Sequence, residues 1–541
     1  MTRRYARRTL RSAASAAVGL LAAAVSIGIA QLAAAFTGPL GLPVIAVGTA
    51  AINLTPVRLK DFAVQHFGTD DKLVLLSGIV VVLALLAAVT GLLAMRRRAY
   101  GFAGIAVFGG IGLAGVLTTP GAGPADSLPT LIGAAAGALA LTLLVRALVS
   151  QRSAAAHDGE PAAGPAAATA GRVTASALRP AEAGTARLAR RGFLLAAAGT
   201  AAVAAAGGGL GELLLRRFSV SAARAEVALP RPAIVGPATP AGAQLPVPGI
   251  SRFITPNASF YRVDTALLVP QLPPDQWRLR VHGMVDRELD LSFEDLLRRP
   301  LTEADMTIAC VSNQVGGPYV GNARWLGASL ASLLRDAGIR RGADQVLSTA
   351  SDGWTCGTPV ETVMDGRNAL VAVGMNGQPL PIEHGFPARM LVPGLYGYVS
   401  ATKWLVDIEL TTFAAQRSYW VQRGYSAQAP IKTESRIDVP RPLQQIKAGR
   451  TAVAGVAWAP HRGIGRVQVR ADSGAWNDAK LAAVPGIDTW RQWVWEWDAA
   501  PGLHQLEVRA TDESGAMQPA TRVPIFPNGA TGWDSVAVTV T

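Results

Sequence analysis

Cysteine is nearly absent from this chain: only Cys310 and Cys356 occur in 541 residues, too few for a disulfide framework or a four-sulfur metal site. No Cys-x-x-Cys-His run is present, so no covalently attached haem is expected. Walker loops, Gly-x-Ser-x-Gly elbows, His-Glu-x-x-His helices and calcium loops are missing too, which removes support for the commonest nucleotide, hydrolase and metalloprotease chemistries. The glycines from Gly207 to Leu210 lie in an apolar stretch and read as helix-packing residues, not a phosphate cradle. Charge is also sparse, at 16% of residues against 50% hydrophobic. A chain of this size and apolarity places part of itself in lipid.

The net charge of +13 invites a nucleic-acid reading until its position is examined. Arg3, Arg4, Arg7, Arg8 and Arg11 precede a first apolar run, and Arg96, Arg97 and Arg98 follow a second. Arg146, Arg152, Arg172, Arg179, Arg187, Arg190 and Arg191 surround the segment after a fourth. The charge is therefore a topology signal, and no nucleic-acid partner is expected.

Four stretches are long enough to span a bilayer: Ser12 to Phe36, Leu73 to Met95, Tyr100 to Thr118 and Thr130 to Val149. They predict an all-α, four-helix transmembrane region over 1–150, followed by a flexible cytoplasmic linker over 151–191 that is rich in Ala, Gly, Pro and Arg. A fifth crossing is expected over 192–215. It opens on Arg190-Arg191-Gly192-Phe193-Leu194-Leu195 and resembles a twin-arginine export signal placed internally; the alternative is a pair of arginines that merely flank a helix. With the arginine-rich N-terminus in the cytoplasm, an odd fifth crossing puts everything after Leu215 outside the cell membrane. Of the residues between 12 and 149 only His66 is a histidine, so the paired ligands of a membrane haem are lacking.

Beyond a Pro-rich tether over 216–250, the chain takes on globular composition. Trp277 to Val281 alternates as a strand, Ser292 to Arg298 predicts a short capped helix, and Leu326 to Ala337 predicts an amphipathic helix. Mixed signals without a regular βαβ repeat predict an α+β domain over 251–434. Over 435–541 short runs such as Thr451 to Trp458, Gly465 to Ala471, Arg491 to Trp497, Leu503 to Ala510 and Val536 to Val540 predict an immunoglobulin-like β-sandwich. Trp493, Trp495 and Trp497 share one face and are expected to be sheet core, not a ligand cage.

Three segments of the α+β region combine polar residues with Gly and Pro: Thr307 to Asn313, which carries Cys310; Met375 to Arg389; and Val392 to Tyr398, closing on Thr402-Lys403-Trp404. His384, Arg389 and Lys403 are donors on turn-rich loops, suited to gripping an anionic group such as phosphate. A cysteine beside them offers a soft thiolate for a transition metal.

At these segments the chain resembles the sulfite oxidase family of molybdopterin enzymes, over about Ile254 to Leu410. Cys310 matches the family's metal-binding cysteine, Ala323 to Ala328 with Leu333-Leu334 its strand-to-helix continuation, and Met375 to Arg389 and Thr402 to Trp404 its cofactor segments. The resemblance implies a molybdenum-molybdopterin cofactor cycling between Mo(VI) and Mo(IV), with two-electron oxygen-atom transfer on a small molecule. It implies Cys310 as metal ligand, and His384, Arg389, Lys403 and Thr402, with Tyr261 and Arg262 of the early segment, as contacts to the pterin or its phosphate. Arg262 and Trp354 are expected to line the substrate pocket, the latter near the place of the family's active-site tyrosine. It further implies dimers through the C-terminal domain. Because the crossings lack paired haem histidines, a separate cytochrome or quinone-linked electron partner is expected.

Ser312, Asn313, Gln314 and Val315 stand where sulfite-oxidising members carry arginines, and Asp264 stands in place of a histidine. Both departures argue against sulfite, with an anion-repelling charge expected from Asp264 and a positive field from Arg262 and Arg324. A Cys310–Cys356 disulfide would remove the metal ligand and is the main competing account of the cysteines. A cofactor-less surface binding or adhesion protein is the competing account of the whole chain.

Overall fold

The computed structural model describes residues 2–56, 71–157 and 182–541, with residues 59, 62 and 67 between the first two. Residues 158–181 of the expected linker (151–191) and His66 lie outside the described residues. So do the side chains of the N-terminal arginines and of Arg190. The chain divides into two compact units, Met1–Thr55 with Asp70–Ser219, and Pro56–Thr69 with Val220–Thr541.

The first unit is helical: α1 (Thr2–Thr37), α2 (Pro43–Leu54), α3 (Asp71–Ala94), α4 (Arg98–Leu117), α5 (Leu128–His157) and α6 (Glu182–Leu215). Among the described residues, five helices are long and apolar enough to cross a membrane, since about 20 residues cover the ~30 Å hydrocarbon core. The twelve-residue α2 is too short and was not anticipated by the hydropathy pattern. Helices α5 and α6 both extend into the expected linker, to His157 and from Glu182. In this unit small residues bring helix backbones together: a Cβ on Gly19 would meet the Ala87 carbonyl, and one on Gly91 the Ser15 carbonyl.

The second unit begins with α7 (Ser221–Glu226) and continues as two sheets and three short helices. Its strands are β1 (Arg278–Gly283), β2 (Leu289–Ser292), β3 (Leu301–Ala309), β4 (Val320–Ser329), β5 (Gln345–Ala350), β6 (Thr355–Pro359), β7 (Leu370–Met375), β8 (Gln378–Pro379), β9 (Arg389–Leu391) and β10 (Leu405–Thr411). Its helices are α8 (Phe293–Leu297), α9 (Leu330–Ala337) and α10 (Val360–Met364). One sheet runs β2-β1-β10-β5-β6 with β1 parallel to β10, and the other runs β3-β4-β7-β8 with β9 also on β7. Ser292 caps α8 as expected, trading hydrogen bonds with Asp295.

The amphipathic helix expected from Leu326 begins four residues later. Strand β4 runs through Ser329 because Leu326 to Ser329 pair with β7, where Gly327 lies so close to Val371 that no Cβ would fit. Ser329 then accepts from the Ser332 N–H and starts α9. Ladder pairing overrides the local helical period.

From Glu434 the chain forms β11 (Glu434–Val439), β12 (Gln445–Ile446), β13 (Gly449–Trp458), β14 (Ile464–Ala471), β15 (Asn477–Asp478), β16 (Lys480–Leu481), β17 (Arg491–Ala499), β18 (Gly502–Asp512) and β19 (Asp534–Val540). They make two sheets, β11-β13-β17-β16 and β12-β19-β18-β14-β15. One core lies between them, with Val453, Trp493 and Trp497 from the first sheet against Val467, Leu506 and Val538 from the second. Trp495 is partly buried against that core, so the tryptophan stripe is structural. Val456, Trp458 and Trp490 instead join the core of the preceding α+β region, which ties the two regions together.

Candidate active site

Strand β3 is almost wholly buried and delivers Cys310 as the first residue beyond its end. The loop that follows is closed on itself. Cys310 N–H donates to the Tyr319 carbonyl (2.9 Å), Asn313 N–H to the Cys310 carbonyl (3.0 Å), and Tyr319 N–H to Asn313 Oδ1 (2.8 Å). The C-terminal sheets brace it from behind. Arg436 on β11 donates to the Gly317 carbonyl (2.6 Å), and Gly316, at φ +74°, packs so tightly on Asp534 that a Cβ would lie 2.4 Å from its Oδ1. Trp490 N–H reaches Thr307 Oγ1 on β3 (2.7 Å). Burial pushes the Cys310 thiol up, against the pull of the Ser312 N–H and hydroxyl and of Lys403.

The second segment is shaped by its turn residues. Asn376 (φ 52°) and Gly377 (φ 76°) make the tight β7–β8 hairpin that an Asn-Gly pair favours. A turn of 3₁₀ helix over Ile382–His384 then ends on Gly385, whose φ of +110° only glycine adopts readily. A Cβ there would stand 3.0 Å from Lys403 Cα and 3.1 Å from Arg389 Cβ. This one glycine therefore lets His384, Arg389 and Lys403 converge.

Arg389 is 3% exposed and donates through Nη1 to the His384 carbonyl (3.0 Å), with its guanidinium 5.3 Å from the Trp325 ring centre. Its Nε has no hydrogen-bond partner among the described residues. Burial brings its pKa down to about 10, with Tyr261 opposing the shift. His384 is buried edge-on to Phe260 (5.6 Å) and bonds the Asn257 backbone carbonyl. Burial, then Lys403 and Arg389, push its pKa down to about 3, so the imidazole is neutral. Tyr261 stacks on Phe260 (5.3 Å); burial and the Cys310 charge raise its phenol while Arg389 opposes them, so it stays protonated.

Lys403 donates to Asp264 Oδ2 (2.9 Å) and to the Glu383 carbonyl (3.1 Å), and burial lowers its pKa to about 8. Arg262 Nε binds the same Asp264 oxygen (2.9 Å). Two expectations from the sequence change here. Asp264 is not a lone repelling charge but the shared counter-ion of Arg262 and Lys403. Arg324 supplies no free positive field, because it is held bidentate by Asp305 (2.7 and 2.8 Å), with Glu303 3.6 Å away.

Thr402 is buried with its hydroxyl on Ser348 Oγ (2.7 Å) and its carbonyl on the Met390 N–H (2.9 Å), so both are engaged within the protein. Trp354 is half-buried in the β5–β6 turn, which Ser351 pins to the Trp404 carbonyl (2.9 Å). Cys356 lies on β6 among the Ser348, Thr358 and Thr402 hydroxyls, and burial pushes its thiol up to about 11. Both cysteines are free, so the disulfide alternative falls away. Among the described residues no group of three or more His, Cys, Asp or Glu gathers as a metal cluster, and Cys310 is the one soft ligand in this cluster.

Sequence reasoning missed Asn257 and Asp352. The first supplies the carbonyl that holds His384; the second is a buried carboxyl pushed up by burial and by Asp264, with Lys403 opposing. Neither has a local signal, since both act through tertiary contacts.

Residues 266–420 match the family described as "Oxidoreductase molybdopterin binding domain". That span contains Cys310, Trp354, His384, Arg389, Thr402 and Lys403; Tyr261 and Arg262 lie just before it. The chain is 31% identical to rat mitochondrial sulfite oxidase over 323 residues, covering 51% of this chain and 59% of that protein. It is 31% identical to chicken sulfite oxidase over 328 residues, covering 51% and 70%. It is 36% identical over 150 residues to the uncharacterized oxidoreductase YuiH of Bacillus subtilis, covering 28% and 72%. With the thiol, the buried cations and these relatives together, the chain belongs to the sulfite oxidase family of molybdopterin-dependent, molybdenum-containing oxidoreductases.

Proposed function

We propose that this chain is a membrane-anchored molybdenum-cofactor oxidoreductase that transfers an oxygen atom and two electrons on a small substrate outside the cytoplasm, sulfite being a disfavoured candidate. Arg389 carries the reading. A buried guanidinium whose Nε has no partner among the described residues is unfavourable by several kcal/mol unless an anion completes it. The phosphate of a pterin fits that need, and the Cys310 thiol fits a soft metal, which binds it as thiolate.

The bound cofactor supplies two-electron redox chemistry at molybdenum. Cys310 holds the metal from a loop tied at both ends. Arg389 and Lys403 bind the anionic end of the pterin. Neutral His384 and the Tyr261 phenol orient it by hydrogen bonds, Arg262 adds a donor, and Thr402 contributes through its backbone N–H. Arg262 and Trp354 line the approach for substrate.

Positive-inside charge supports a cytoplasmic N-terminus, five crossings and an external catalytic region, exported through the twin-arginine-like start of α6. The two C-terminal sheets suit an immunoglobulin-like sandwich of the kind that pairs two copies. Electrons pass to or from a separate cytochrome or quinone-linked carrier, since no haem is expected in this chain.

Elemental analysis of the full-length protein, made in a host that synthesises the pterin, tests the reading. Near-stoichiometric molybdenum in the wild type and its loss in Cys310→Ala are expected. Substoichiometric metal in the wild type refutes it.

A further inference from the structure

We propose, resting on the molybdenum-cofactor reading above, that Asp264 is an internal counter-ion which leaves the site without surplus positive charge and so selects an uncharged, dipolar substrate over a dianion. Three cations converge around His384: Arg262, Arg389 and Lys403, of which Lys403 also acts on Cys310. The Asp264 side chain, 7% exposed, binds two of them through one oxygen, at 2.9 Å each. A phosphomonoester carries about −1.5 to −2 charges near neutral pH. One carboxylate and one such phosphate therefore balance the three cations.

Among the described residues, no other cation on these elements makes up the difference. Arg324 is bound to Asp305 and Glu303. The residues after the cysteine, Ser312 to Val315, are uncharged, and the neighbouring turn contributes a further carboxyl, Asp352. A dianion moving into this site gives up its hydration without meeting an opposite charge, which is strongly unfavourable. An uncharged molecule with a polar S–O or N–O bond needs only hydrogen-bond donors. The protonated Tyr261 phenol is one, and the buried Asn313 amide, whose Nδ2 has no partner among the described residues, is another. Release of oxygen from such a molecule as water takes two protons and two electrons, the latter from the separate carrier; oxidation runs the same balance in reverse.

Binding of radiolabelled sulfate to the full-length holoprotein, by equilibrium dialysis, tests the assignment without turnover. Asp264→Asn keeps the shape and removes the charge, while Asp264→Glu keeps the charge. Sulfate should bind Asp264→Asn about tenfold or more tighter than wild type, the equivalent of ~1.4 kcal/mol, with Asp264→Glu like wild type. Dimethyl sulfoxide affinity should be the same in all three. Equal sulfate binding in wild type and a fully molybdenum-loaded Asp264→Asn overturns the proposal. Loss of metal in Asp264→Asn alone overturns it too, by making Asp264 part of the cofactor hold. Molybdenum missing from the wild type is the separate result that refutes the parent reading and this one with it.

Discussion

Replacing Arg389 with methionine should stabilise the empty protein and cripple the loaded one. The guanidinium is buried, its Nε has no partner among the described residues, and burial lowers its pKa to about 10. A base whose pKa is lowered by folding weakens the folded state at every pH below the lowered value. That penalty fades only as pH rises above about 10. At ~1.4 kcal/mol per tenfold change in proton affinity the drop amounts to roughly 3 kcal/mol. Losing the bond to the His384 carbonyl returns about 1 kcal/mol. The cofactor-free Arg389→Met protein should therefore be more stable by about 2 kcal/mol, a rise on the order of a few degrees in melting temperature. In the loaded protein the same change removes the partner of a buried anion, worth about 3–5 kcal/mol, and molybdenum content should collapse. Tryptophan-fluorescence melting of protein from hosts with and without pterin synthesis reads both signs. A cofactor-free variant that melts several degrees below cofactor-free wild type refutes the idea that Arg389 waits for an anion.

Lys403, lowered to about 8 by burial, loses its charge as pH rises through that value, so cofactor uptake should weaken above pH 8 and draw in protons there. Titration calorimetry in two buffers of different ionisation heat detects this, and buffer-independent heats above pH 8 contradict it. Gly385→Ala meets both a positive φ and a Cβ 3.0 Å from Lys403, so it should destabilise by ~2 kcal/mol or more and lower molybdenum content. Arg436→Ala frees the Gly317 carbonyl and should speed alkylation of Cys310 in the cofactor-free protein by about tenfold, the effect of losing ~1.4 kcal/mol of loop restraint; an unchanged labelling rate removes the bracing role of β11. Cys356→Ser, buried and set among hydroxyls, should retain wild-type molybdenum, in contrast to Cys310→Ala.

Much of the site was legible because its shape is written in local residues. An Asn-Gly pair makes a two-residue hairpin, a His-Gly step ends a 3₁₀ turn, and a cysteine at the end of an apolar run leaves a buried strand, wherever they occur. The charge relations were not legible. Asp264 looked like an isolated carboxylate because the lysine that binds it is 139 residues away, and Arg324 looked free because Asp305 is its partner only across the β3–β4 pairing. The helix start after Leu326 was missed for the same reason, since the competing strand partner lies on β7.

By itself the sequence determined the apolar helices, the Trp-rich sheets and the residue types offered to a cofactor, because length, period and turn chemistry are local properties of the chain. Only the tertiary structure decided which of those residues carry an unbalanced charge. Coulomb energies fall with distance and rise with burial, so the meaning of Arg389, Lys403 and Asp264 depends on neighbours and solvent that no stretch of sequence contains.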